Sequence, residues 1–351
     1  MNQPVADAST PRVGATRIAL RVGFLAVTAF ALYGLAPRLL DMWDEVPRLR
    51  EISIAWFAAM VLAEAASYAC AWELTRVALP KVSLFVAATA QLTSNAIAKV
   101  VPGGAAIGAG VGYRMLSVSG IDRGAAGAAL AATSIISNGV LLCLPLVALT
   151  LSIVGAPIPA GMSHVAWGGA LLFVLLFAAS FSLVRFDRPI RLLGTAIERV
   201  GGWVQRRRHR VGGPTAAGIT LQRDEMVASL GARWRTALLV AVGNWLFDYV
   251  ALVAALEATG SRPRLSLVLL AYAVAAVLSM IPITPGGVGF VEAGLVAMLT
   301  LAGIPGDEAL LATLAYRIVS YWLPLPAGLV AHLAFRHRYG SREAEGSVPS
   351  T

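Results

Sequence analysis

The sequence predicts an all-α polytopic membrane protein built on an inverted-topology repeat. Three observations carry that prediction. Of 351 residues, 58% are hydrophobic and only 13% are charged. The apolar runs are long and do not alternate with polar residues. A Pro-Gly-Gly break followed by Gly-Ile occurs twice: Pro102-Gly103-Gly104 leads to Gly120-Ile121, and Pro285-Gly286-Gly287 leads to Gly303-Ile304, an offset of 183 residues at both ends.

A water-soluble domain of this length cannot hide so much apolar surface, so the solvent is lipid. Hydrocarbon offers no partner to an open backbone group, which leaves helices or a closed barrel. Continuous apolar runs select helices. They are expected at 18–36, 52–72, 83–101, 104–119, 124–151, 165–184, 236–256, 265–282, 287–303 and 308–335. Adding 183 carries 52–72 onto 235–255 and 124–151 onto 307–334, close to helices drawn on hydropathy alone. The repeat therefore covers about one hundred residues and reads helix, re-entrant broken helix pair, helix. In all, about eight spanning helices and two re-entrant hairpins are expected.

Orientation follows from charge. The chain carries a net +9, from 26 Arg and 2 Lys against 19 acids. Eleven of the Arg, against four acids, fall between Arg185 and Arg235. Under the positive-inside rule this loop is cytoplasmic and faces anionic lipids of that leaflet; no nucleic-acid partner is expected. Within it, Ile190, Leu193, Ile197 and Val200 share one helical face, which suits either an interfacial helix or a loop helix packed on the membrane domain. Counting from a cytoplasmic N-terminus puts the acidic loop 37–51 outside and the tail with Arg336, His337 and Arg338 inside. The repeats then point in opposite directions, because the single helix 165–184 separates them. If each Pro-Gly-Gly tips a re-entrant hairpin, the tips approach one another from opposite faces. If the pairs span fully, the tips lie at opposite surfaces. Residues 1–16 read as a disordered tail, 17–335 as one transmembrane domain with repeats at about 52–151 and 235–334, and 336–351 as a cytoplasmic tail. Arg17 and Arg21 lead into an uncleaved first helix rather than a signal peptide. The expected location is the cytoplasmic (plasma) membrane, multi-pass, with both termini inside; a homo-oligomer is compatible with this layout.

A charge at bilayer depth costs at least ~2.5–3.5 kcal/mol, so each needs a partner, water or a task. Such positions are Glu64, Lys99, Arg114, Asp248, Glu292 and Arg317. Asn95 lies one turn from Lys99 on the same face, Tyr321 one turn from Arg317, and Asn244 one turn from Asp248. Glu64 has a similar mid-helix place but does not align with Asp248, since the offset carries it to Phe247. At the second break, Pro285 ends one limb and the glycines permit positive φ. The amides opening the next limb then lack helical acceptors and suit an anion such as a phosphate. Glu292 can hold a cation, pair with Arg317 or orient the tip. The plainer alternative is a tight turn beside a packing ion pair.

There is no Walker-type loop, no dinucleotide fingerprint, and no Ser-His-Asp or metal-helix signature. Cys70 and Cys143 imply no disulfide framework, and the four His are scattered. No cofactor, metal or catalytic residue is expected. Movement of a substrate would be passive, driven by an ion or the membrane potential, or drawn by consumption of product.

The segment Pro285-Gly-Gly-Val-Gly-Phe-Val-Glu292-Ala-Gly, with Gly303-Ile-Pro and Ala315-Tyr-Arg317-Ile-Val-Ser-Tyr-Trp322, resembles the lysylphosphatidylglycerol synthase transmembrane family, the flippase-like integral membrane proteins. The stretch from Asn95 to Gly120, with Pro102-Gly-Gly and Tyr113-Arg114-Met-Leu, resembles the family's first-half motif, and the likeness covers roughly 18–335. It implies a lipid cavity between two re-entrant elements, with Glu292, Arg317 and Arg114 as site residues. Two departures stand out. Many members carry Gly-Glu in the first-half motif, where this chain reads Ala105-Ala-Ile-Gly-Ala-Gly110. The chain as given also holds no segment that reads as a soluble aminoacyl-transferase, so synthase activity is not expected. The leading expectation is a transporter moving a phospholipid or glycolipid with a phosphate-bearing headgroup between leaflets. Its alternatives are a polyprenyl-phosphate-dependent glycosyltransferase, resting on Asp41, Asp44 and Glu45 of the outer loop, and an accessory subunit of envelope-lipid synthesis.

Overall fold

Each helix begins and ends where its local chemistry dictates. Ser53 caps the first, α1 (Ile54–Ala78), by accepting the Trp56 N–H, and Pro80 follows its end. Ser83 caps α2 (Leu84–Val100) through the Val86 N–H. The Pro102 break separates α2 from α3 (Gly104–Val118). Asp122 accepts the Ala125 N–H at the start of α4 (Arg123–Val154). The second half runs through α5 (Trp234–Ala258), α6 (Leu265–Ser279), a 3₁₀ turn at Pro285–Gly287, α7 (Phe290–Leu301), α8 (Gly306–Arg317), a π turn at Ile318–Trp322, and α9 (Pro324–Glu345). This computed structural model describes residues 52–101, 104–154, 231–280 and 284–345, with isolated positions between 163 and 182. The readings made for the N-terminal tail, helix 18–36, the acidic outer loop, most of helix 165–184, the Arg-rich loop, Pro102 and Gly103 lie outside the described residues.

All described elements are helical. Among the described residues, four segments are long and apolar enough to cross a membrane: Ile54–Ala78, Arg123–Leu151, Trp234–Ala258 and Gly306–Gly340. Most of their surface is not covered by protein; Leu62 and Leu239, for example, stand about 70% exposed. Apolar faces of that extent need lipid around them. The chain is thus a membrane protein with several apolar helices.

Boundaries differ from expectation chiefly at two places. The final helix was expected to run unbroken over 308–335, but it is interrupted by the π turn and continues to Glu345. Pro324 explains the interruption: it has no N–H for the Ser320 carbonyl four residues earlier, and the chain accommodates this with a wider turn closed from Leu323 N to Ile318 O (2.9 Å). The limb expected over 287–303 begins only at Phe290, because Gly286, Gly287 and Gly289 take φ of +61°, +71° and +80°.

The duplicated Gly-Ile has a local cause. Gly120 (φ +96°) and Gly303 (φ +92°) each end a helix in the left-handed region. Ile121 N–H then returns to Leu116 O, and Ile304 N–H to Leu299 O, at 3.2 and 3.1 Å. Both are Schellman-type caps.

Close packing rests on small residues, as expected where burial alone does not drive helices together. Gly104, Gly108 and Gly112 form one stripe of α3 against Ser94 and Ala98 of α2; a Cβ on any of them would overlap α2 atoms. Gly328 of α9 sits against Leu92 and Ala96 of α2 in the same way. α1 and α5 pack along one another and are joined at Ser67 and Asn244, where Asn244 Nδ2 donates to Ser67 Oγ (2.7 Å) and Ser67 Oγ donates to the Asn244 carbonyl (2.9 Å). α2 packs on α9, and α6 packs on α4.

Candidate functional site

Between α1, α2, α5, α6, α8 and the two helix breaks lies a cavity of about 420 Å³. Its lining includes seven polar residues singled out in the sequence: Glu64, Asn95, Lys99, Asn244, Asp248, Arg317 and Tyr321. Glu64 and Asp248 come from near the middles of α1 and α5. The cavity therefore collects charge that the individual helices could not carry in hydrocarbon.

One end is cationic. Arg317 is buried; its Nε donates to Glu292 Oε1 (2.6 Å) and its guanidinium lies over the Tyr321 ring, 4.4 Å from the centroid. Glu292 does not line the cavity. It stands behind Arg317, and its other oxygen accepts the Gly289 N–H (2.7 Å), the glutamate half of a capping box at the head of α7. Lys99 Nζ donates to the Ser320 carbonyl (2.7 Å), the group that Pro324 leaves without a helical donor. Tyr321 Oη donates in turn to the Lys99 carbonyl (3.0 Å). The second break meets the end of α2 here: a Cβ on Gly286 would overlap both the Tyr321 hydroxyl and the Lys99 carbonyl. Only glycine fits that approach at positive φ.

The other end is acidic. Asp248 accepts from Tyr272 (2.6 Å, on Oδ2) and from Tyr316 (2.8 Å, on Oδ1). Glu64 adjoins Asp248 and is 7% exposed, and its Oε2 has no hydrogen-bond partner. Amides of Gln91, Asn95 and Asn244 also line the cavity.

Two sequence expectations are placed differently. Arg114 projects from an exposed position on α3 and is not among the residues lining the cavity. Two amides of the second break are used locally: Gly289 N–H goes to Glu292 and Gly287 N–H to the Thr284 carbonyl (3.0 Å). Sequence reasoning missed Tyr272, Tyr316 and the Ser320 carbonyl. The last had a signal: a proline four residues after a mid-helix position orphans that position's carbonyl. Among the described residues no group of three His, Cys, Asp or Glu gathers to hold a metal ion.

Residues 17–328 match the model of the lysylphosphatidylglycerol synthase TM region. The chain belongs to this family. It is also similar to a UPF0104 membrane protein of Methanothermobacter thermautotrophicus, 27% identical over 179 residues. That match covers 47% of this chain and 50% of the relative, so the chain spans about half the length of the curated relative it matches. The family's match takes in both breaks and every cavity residue named above.

Proposed function

We propose that this family member moves a polar-headed phospholipid or glycolipid between the leaflets of the cytoplasmic membrane. The observation that carries this reading is the cavity itself: a hydrophilic space between two interrupted helix pairs, with Lys99 and Arg317 at one end. Its volume falls in the ~300–1,000 Å³ range of small-molecule sites, which suits a headgroup while the acyl chains stay in lipid. Lys99 and Arg317 retain N–H groups beyond those used on Ser320 and Glu292, and they suit a phosphate.

Helix lengths favour re-entrant pairs. At 1.5 Å per residue the 17, 15, 15 and 12 residues of α2, α3, α6 and α7 reach only about 25, 22, 22 and 18 Å, short of the ~30 Å hydrocarbon core. The packing favours a repeat, since the offset of 183 exchanges the pair α2 and α9 with the pair α6 and α4. With 165–184 as a single span the repeats are inverted, both termini are cytoplasmic, and the Arg-rich loop 185–235 lies against anionic lipid. Broken helices at the midplane of inverted repeats are the usual place for a transporter's site.

Reconstitution tests the reading. Purified protein in liposomes that carry fluorescent phosphatidylglycerol, phosphatidylethanolamine or a glycosylated phospholipid should speed redistribution between leaflets, scored by quenching of the outer leaflet. A rate equal to that of protein-free liposomes across the panel would refute it.

A further inference from the structure

The cationic end of the cavity accounts for an anionic headgroup. The acidic end does not, and it bears on what drives the movement. Glu64 is 7% exposed with Oε2 unpartnered, and the group beside it is a second carboxyl, Asp248. Both Asp248 oxygens already accept phenol hydrogens, from Tyr272 and Tyr316. Two adjacent carboxylates in a poorly solvated place cannot both keep their charge. The phenols occupy both Asp248 oxygens, so the open Glu64 Oε2 is the position left for a shared proton. A multivalent cation lacks ligands here, because no third His, Cys, Asp or Glu joins the pair among the described residues.

We propose that Glu64 and Asp248 form a proton-binding site that is loaded together with an anionic headgroup, making the protein a proton–lipid symporter. This rests on the transport reading given above. The groups facing Glu64 are Asp248 from α5, Lys99 from α2, Tyr272 from α6, Tyr316 from α8 and Tyr68 from its own helix, with Arg317 of α8 near Lys99. The two cations set the coupling. While the cavity is empty, Lys99 and Arg317 help to hold negative charge on the acidic pair. An arriving phosphate takes up that positive field, and the pair then holds its proton more firmly. Proton and headgroup therefore bind together and leave together. The step balances: a proton from water on one face joins the Glu64 carboxylate and is released to water on the other, and no other bond forms or breaks.

Infrared difference spectroscopy on the full chain in phosphatidylglycerol–phosphatidylcholine bilayers tests the site. The expected result is a protonated-carboxyl C=O band that shifts in deuterated buffer. It is lost in Glu64→Gln, moved in frequency in Asp248→Asn, and unchanged in Glu73→Gln, a carboxylate paired with Arg76 on the surface of α1. Proteoliposomes with fluorescent phosphatidylglycerol and an imposed pH gradient test the coupling. One proton per lipid shifts the final leaflet ratio by up to about tenfold per pH unit, with lipid moving away from the acidic side. Glu64→Gln should abolish that shift, and Glu73→Gln should leave it at the native size. Absence of the band in the native protein, or its persistence unchanged in both variants, overturns the proton site. Native transport whose end point ignores the gradient overturns the coupling. If no labelled lipid moves yet the band behaves as described, the transport reading fails and the proton site stands.

Discussion

The two helix breaks share a motif but are held in different ways. The second is secured within its own half. Glu292 caps the head of α7 and grips Arg317, and three glycines at positive φ turn the chain. The first has no such lock, since Ala109 and Ser134 stand where the offset would place Glu292 and Arg317. It is held from across the molecule, by Lys99 on the Ser320 carbonyl and by Tyr321 on the Lys99 carbonyl. The ionic side chains gather at the second break, while Gly104 after the first packs on Ala98 of its own α2. The Lys99–Ser320 contact is what joins the end of α2 to the π turn across the molecule.

The strongest way to break this comparison is to remove the lock. Arg317→Ala leaves Glu292 as a buried carboxylate without its counter-ion, a loss of about 3–5 kcal/mol. We expect a sharply lower thermal midpoint in detergent and loss of lipid transport. Pairing it with Glu292→Gln should restore much of the midpoint and none of the transport. Next in size is Gly286→Ala. It forces a side chain to φ +61° and into Tyr321 and the Lys99 carbonyl; backbone strain of this kind costs about 1–3 kcal/mol. The midpoint should fall less than for Arg317→Ala, and transport should fall with it because the second break no longer meets the end of α2.

How much of this was legible depended on the kind of signal. The long apolar spans and the helix ends near Gly120 and Gly303 were readable because lipid and backbone geometry leave few alternatives for apolar runs and glycine. Seven of the nine flagged polar side chains line the cavity for a similar reason: charge in a membrane helix has few places to go. Arg114 was not separable from them, since its place three turns along a short helix does not say which way that helix faces. The Glu292 capping box was hidden because its donor is a backbone amide, and the Gly104, Gly108, Gly112 stripe reads as composition until its partner helix is known. The pairing of Asp248 with Tyr272 and Tyr316 joins three helices, and no local spacing encodes it.

Two substitutions sharpen the comparison at the first break. Lys99→Met removes the cation and leaves the Ser320 carbonyl without its donor, a cost of about 1–3 kcal/mol. Because the lock at the second break survives, the effect should fall mainly on function: transport of anionic lipid at least about tenfold slower, if one charge-assisted contact of ~1.5–3 kcal/mol is lost. A zwitterionic lipid should be slowed less. Tyr321→Phe keeps the ring beneath Arg317 and removes only the bond to the Lys99 carbonyl. It should cost about 0.5–1.5 kcal/mol in stability and slow transport by less than Lys99→Met does. Equal losses in the two variants would mean that the first break is held by packing rather than by these two bonds.

The smallest effect is expected from Asp44→Asn combined with Glu45→Gln, in the acidic loop before α1. These residues lie outside the described part of the chain and are the only support for a glycosyltransferase reading. An enzyme of that class needs a carboxylate to activate or accept a proton at the reacting sugar, so neutralising both should abolish it. A lipid transporter uses the cavity between the breaks, and neither residue is among those that line it. Leaflet redistribution of fluorescent phosphatidylglycerol should match the native rate, and the proton-dependent shift in leaflet ratio should persist. A collapse of transport in this double variant, with the thermal midpoint intact, would move the working chemistry out of the space between the breaks and make their unequal fastening a matter of scaffold alone.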